Sequence, residues 1–236
     1  MKIIDTKLHV ISSIKMEIAF QDLEQKIKTS GNNLEILKAA ENTLNKARGL
    51  WAPQAVYQWC EFKKIKKDNL VRISQSFGSH VDLDFGFSFQ FLTHARYALI
   101  SVYTAGPELE KESKNASSKG DLLEAYFLDL IGLIVLDQAG DKIREIAQQQ
   151  AKKLGWGVSP FLSPGSVHGW ELEEQSKVCS LLPLEKISVK IQKNAVLSPF
   201  KTICCLIGLG PGYDSVQVGT ACRVCSKNHD CQIKQN

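Results

Sequence analysis

Apolar residues recur along this chain with two different periods, and each change of period marks an element. From Lys2 to Ile18 short alternations rich in β-branched residues predict extended chain, and Phe20 to Lys28 predicts a helical segment that stops near Gly31. Asn33 is placed to cap a helix whose Leu34, Leu37, Ala40, Leu44 and Ala47 recur at three and four residues, forming one apolar stripe that ends at Gly49. Ala55, Val56, Tyr57 and Trp59 predict a strand leading up to Lys63, Lys64, Lys66 and Lys67, a cluster that reads as a solvated face. Between Leu70 and Thr104 the pattern is that of a sheet: Val71 with Ile73, Val81 with Leu83, and Phe85, Phe87 and Phe89 on alternate positions. Tyr97 to Tyr103 is the natural buried central strand.

The second half opens on helices. Pro107, followed by Glu108, Glu110 and Glu112, has the form of a helix start that runs out near Ser117 and Ser118. Asp121 with Glu124 three residues on opens a much longer helix that stops at Gly155. Leu122, Leu123, Tyr126, Phe127, Leu130, Ile131 and Ile134 leave its first half apolar nearly all round, so it is buried on more than one side. Unbroken, it would extend about 50 Å, and a kink near Gly132 or Gly140 is expected.

Between Gly155 and Gln175 the run GWGVSPFLSPGSVHGWELEEQ carries glycines, prolines and two tryptophans, so the backbone turns there. Such a turn can present main-chain groups to a ligand; a tight connection packed by Trp156 and Trp170 is the plainer reading. Glu171 to Leu182 predicts a helix ended by Pro183. Ile187 to Ile191 and Thr202 to Ile207 predict two strands paired antiparallel, the second central, with Cys204 and Cys205 as small core residues.

Composition narrows the classes. With 236 residues, 44% of them apolar, the chain can bury a large core. The 29 basic and 25 acidic residues leave +4, too mild a balance to point to nucleic acid or a membrane surface. No apolar run reaches the roughly 18 residues of a membrane span, and Asp5, Lys7 and His9 interrupt any signal-peptide core. Seven cysteines without such a signal point to a reducing cytoplasm. His80, Asp82, Asp84 and His94 lack ligand spacing and read as sheet-edge polar residues. Cys222, Cys225 and Cys231, with His229 between them, form C-x-x-C-x-x-x-H-x-C, a pattern that can hold zinc or an iron–sulfur cluster or stand as free thiols. One domain over 1–210 followed by a cysteine-containing tail over 211–236 is the simplest division.

In order, DLLEAYFLD on the long helix, SPG followed by GW, and LLPLEKISVKIQKNAVLSPFKTI resemble the S-adenosylmethionine-binding activation domain of cobalamin-dependent methionine synthase, in its free-standing form. The resemblance covers roughly Ala95 to Gly210. It implies an α+β fold with a twisted, mainly antiparallel sheet and long helices, in agreement with the order of elements. It also implies a part in methionine biosynthesis or a related cobalamin-dependent methyltransferase system. The family's domain brings S-adenosylmethionine to a corrinoid that has fallen to inactive cob(II)alamin, while a donor such as a flavodoxin or ferredoxin supplies an electron.

By this resemblance Ser163, Pro164 and Gly165 form the ligand turn, and Glu124 offers a carboxylate to the ligand's positive charge. Phe161 stands where the family has an arginine and Ser166 where it has a tyrosine, with His168 a candidate substitute. If residue 161 meets the ligand, Phe161→Arg should strengthen binding. The family lacks the cysteine pattern. Three functions follow: reactivation of a partner's corrinoid with S-adenosylmethionine, docking on a corrinoid protein without that ligand, or metal-centred redox work in the tail.

Overall fold

The computed structural model describes residues 4–27, 33–65, 69–75 and 78–219. Its centre is an antiparallel sheet of order β4-β3-β2-β5-β9-β6. These are His80–Asp84, Leu70–Ser74, Gln54–Lys64, Tyr97–Thr104, Thr202–Gly210 and Gly157–Val158 for β4, β3, β2, β5, β9 and β6. The eleven-residue β2 takes β1 (Leu8–Ile11) and β3 in series along one edge and β5 along the other. Among the described residues of the Lys2–Ile18 run, only these four of β1 are strand; Ile4, Ile14 and Ile18 are buried without joining the sheet.

Alternation along the strands divides the core into two layers. Leu99, Tyr103, Cys205, Ile207 and Leu209 face the helices, whereas Ala98, Ile100, Val102, Cys204 and Leu206 face an irregular layer that carries one short helix. Cys204 and Cys205 are both fully buried free thiols, one on each face. The α+β class with an antiparallel sheet and long helices is therefore present.

On the first face lie α1 (Phe20–Glu24), α2 (Leu34–Ala47), α3 (Glu108–Ser118) and α4 (Leu122–Leu154). Asn33 caps α2 by accepting from Glu35 N and Ile36 N, and Asp121 caps α4 by accepting from Glu124 N at 2.9 Å. Gly155, at φ 69°, ends α4 in the left-handed conformation that its missing Cβ permits. The helix is continuous through 33 residues, so the expected kink is absent. Gly132 and Gly140 serve close approach: a Cβ at Gly140 would lie 2.7 Å from Tyr103 Oη, and one at Gly132 would lie 2.4 Å from Lys201 Cδ. Among the described residues no helix is long and apolar enough to cross a membrane.

Three expectations change on the second face. Gly86–Leu92 is a 3-10 helix; Phe85, Phe89 and Leu92 are buried at spacings of four and three, while Phe87 is 70% exposed. The helix after the turn, α5, is only Glu174–Cys179, because Trp170 is pinned in the core before it and Leu181 and Leu182 turn inward after it. The run ending at Ile191 does not pair with β9, whose edges are taken by β5 on one side and by β6 and Leu162 on the other. Leu184–Ile187 is a 3-10 turn instead, and β7 (Lys190–Ile191) folds back on β8 (Leu197–Ser198) as a small hairpin. Residues 211–219 return over the domain, where Val158 N donates to Ser215 O and Tyr213 Oη to Phe91 O. Cys222, Cys225, His229 and Cys231 lie outside the described residues.

Candidate functional site

The turn grows out of the edge of β9. Ser159 N donates to Gly208 O, and Gly208 N donates to Ser159 Oγ. Leu162 and Leu206 exchange both main-chain hydrogen bonds, and Ser163 Oγ donates to Cys204 O at 2.8 Å. Pro164 then ends the ladder, since it has no N–H to give. Gly165, at φ 75°, reverses the chain; its N donates to Trp170 O at 2.8 Å, and Ser166 N donates to Ser163 O. Trp170 is the anchor, 1% exposed, with its ring centroid 4.7 Å from that of Phe85. Residue types pointed to a turning segment between Gly155 and Gln175, the resemblance to Ser163, Pro164 and Gly165 within it, and the chain does turn there.

Ser163, Pro164 and Ser166 line a cleft of about 310 Å³ together with Leu172, which packs against Gly165, and with Val196 and Phe200. Gln175 closes its floor by donating from Nε2 to Ala195 O, which ties α5 to the tip of the β7–β8 hairpin. His168 stands outside this lining; its ring stacks on exposed Phe87 at 5.4 Å, and its carbonyl accepts from Ser88 Oγ.

The other two proposed ligand residues lie on the opposite face of the sheet. Phe161 is 3% exposed and packs in the helix-facing core, with the Arg144 guanidinium 5.1 Å above its ring. Glu124 sits in the first turn of α4 and pairs with Lys46 Nζ at 3.0 Å. Strand alternation explains the separation: Leu162 faces the irregular layer, so Phe161 must face α4.

A second, more polar cleft of about 500 Å³ adjoins the first, sharing Val196, Leu197 and Phe200. Phe200 is 73% exposed at the junction. Lys201 lies 8% exposed across α4 at Gly132, and its Nζ reaches Asp129 Oδ1 at 2.6 Å. Glu110 holds the far wall, accepting from Lys114 Nζ and from Phe200 N at 2.7 Å. Burial pushes the Glu110 carboxyl up, but the hydrogen bonds from Lys114 and Phe200 outweigh it and leave it below its ordinary value of 4.5. Its contribution is therefore complete above the unfolded value and lost as pH falls through the depressed folded one. Glu110→Gln should flatten the loss of thermal stability seen below about pH 4.5; an unchanged acid slope would rule out this contribution.

The polar lobe was not visible as a site in the sequence, because Glu110, Asp129 and Lys201 come from three separate elements. The one local signal was a glycine in the apolar half of α4, read there as a kink. Among the described residues no group of three or more His, Cys, Asp or Glu side chains is placed to hold a metal ion. Asp82 is instead held in a bidentate pair with Arg72, at 2.8 Å for both bonds.

No family model and no curated protein matches the chain. A solved structure does: the crystal structure of the MetH reactivation domain bound to AdoHcy superimposes with a TM-score of 0.59, over 89% of this chain and 81% of that one, at 10% identity. The chain thus has the fold of the MetH reactivation domain.

Proposed function

We propose that the chain binds S-adenosylmethionine, and the S-adenosylhomocysteine left after methyl transfer, beside Ser163, Pro164, Gly165 and Ser166, and acts as a reactivation module for a corrinoid protein. One coincidence carries this reading: the structural neighbour holds AdoHcy, and the turn singled out by resemblance borders a cleft. Bound S-adenosylmethionine would supply the methyl group. The chain's residues bind and orient: Pro164, Leu172, Val196 and Phe200 offer apolar walls to a flat purine, and Ser166 offers a hydroxyl at the rim. The two adjoining lobes, about 310 and 500 Å³, lie in the size range of small-molecule sites.

Cobalamin would be carried by the partner, a corrinoid protein or cobalamin-dependent methyltransferase, and the electron would come from a flavodoxin or ferredoxin. Exposed Phe200 at the cleft and Phe87 beside His168 give the rim apolar surface on which a protein can dock. Isothermal titration with S-adenosylhomocysteine tests the ligand. Saturable heat is expected below about 1 mM, an affinity of roughly −4 kcal/mol, and the absence of heat there would leave only a docking role.

A further inference from the structure

Resting on that reading, we infer that the polar lobe around Lys201 holds the α-amino-acid end of the ligand, with Lys201 taking its carboxylate and Asp129 its ammonium. By the resemblance an arginine is missing at residue 161, but Phe161 is buried beneath Arg144 and lines neither lobe, so residue 161 is not the point of contact. A carboxylate partner has to come from elsewhere. Lys201 is a buried cation at the lobe adjoining the turn, and one of its three ammonium protons is given to Asp129 Oδ1.

Three features mark the lobe as built for a ligand. The stem of Lys201 lies directly against Gly132, where a Cβ would come within 2.4 Å of Cδ, so a side chain there would have to push the ammonium out of its present place. Charges are balanced: Lys114 and Lys201 against Glu110 and Asp129. Such a lining favours neither a phosphate nor a cation as a whole, whereas a zwitterion meets one partner for each of its ends. Finally, the lobe adjoins the apolar one through Val196, Leu197 and Phe200, so a ligand with a flat apolar end and a zwitterionic end spans both.

The test compares S-adenosylhomocysteine with 5′-methylthioadenosine, which has the nucleoside and thioether but no amino-acid end. The wild-type chain should prefer the former at least about tenfold, the worth of charge-assisted hydrogen bonds. Lys201→Met removes the charge, and Gly132→Ala displaces the stem while keeping the lysine. Each should lower affinity for S-adenosylhomocysteine about tenfold and leave methylthioadenosine within about twofold. Circular dichroism checks that both variants are folded. Equal binding of the two nucleosides by the wild-type chain, or variants with an unchanged ratio, overturns the inference while nucleoside binding at the turn stands. Loss of both nucleosides by a folded variant overturns it too. Binding of neither by the wild-type chain removes the functional reading and the inference together.

Discussion

Trp170→Ala is expected to lower stability by about 3–5 kcal/mol and to abolish nucleoside binding at the turn. The indole is 1% exposed and fills the irregular layer against Phe85, among Leu162, Val167 and Val178, so truncation leaves a cavity that a sheet-backed layer cannot close. The same residue fixes the ligand turn, because Gly165 N donates to its carbonyl. Trp170→Phe separates packing from polarity. Trp170 Nε1 has no hydrogen-bond partner among the described residues, so losing the N–H removes no bond. Chemical denaturation should therefore show a far smaller loss for phenylalanine than for alanine. Equal losses would mean that the indole N–H has a partner after all.

Phe161→Arg should also destabilise by roughly 3–5 kcal/mol, with no gain in S-adenosylhomocysteine affinity. The side chain points into the helix-facing core, where a new guanidinium would lie beneath that of Arg144, whose own carboxylate partner, Asp141, is exposed at the surface. Resemblance alone predicts the opposite: an arginine restored at residue 161, tighter binding and an intact fold. Thermal unfolding and titration of this one variant decide between the two. A stable variant that binds more tightly would show that residue 161 meets the ligand.

Much of the frame was legible because it depends on local chemistry. Asn33, Asp121 and Gly155 mark their helix ends through caps, and β5 and β9 announce themselves as unbroken apolar runs between turn residues. The glycines and prolines between Gly155 and Gln175 likewise announced a turning segment, and the resemblance narrowed it to Ser163 to Gly165. What failed depended on partners distant in sequence. Ile187 to Ile191 is strand-like by composition, yet β9 had no free edge to give it. Phe85, Phe87 and Phe89 satisfy alternation and helical spacing alike over so short a run, and only packing under Trp170 decides between them. The polar lobe depends on Lys201 meeting Asp129 across 72 positions, which no local pattern encodes.

Phe161 and Ser166 depart from the residues that the resemblance implies, so the placement of the proposed ligand is the central claim. A crystal structure of the chain with S-adenosylhomocysteine tests it most directly. The account predicts the purine between Pro164 and Phe200, against Leu172 and Val196, with the amino-acid end beside Lys201 and Asp129. A ligand seated away from both lobes, against Glu124 or Phe161, would contradict it, as would an empty cleft at saturating ligand.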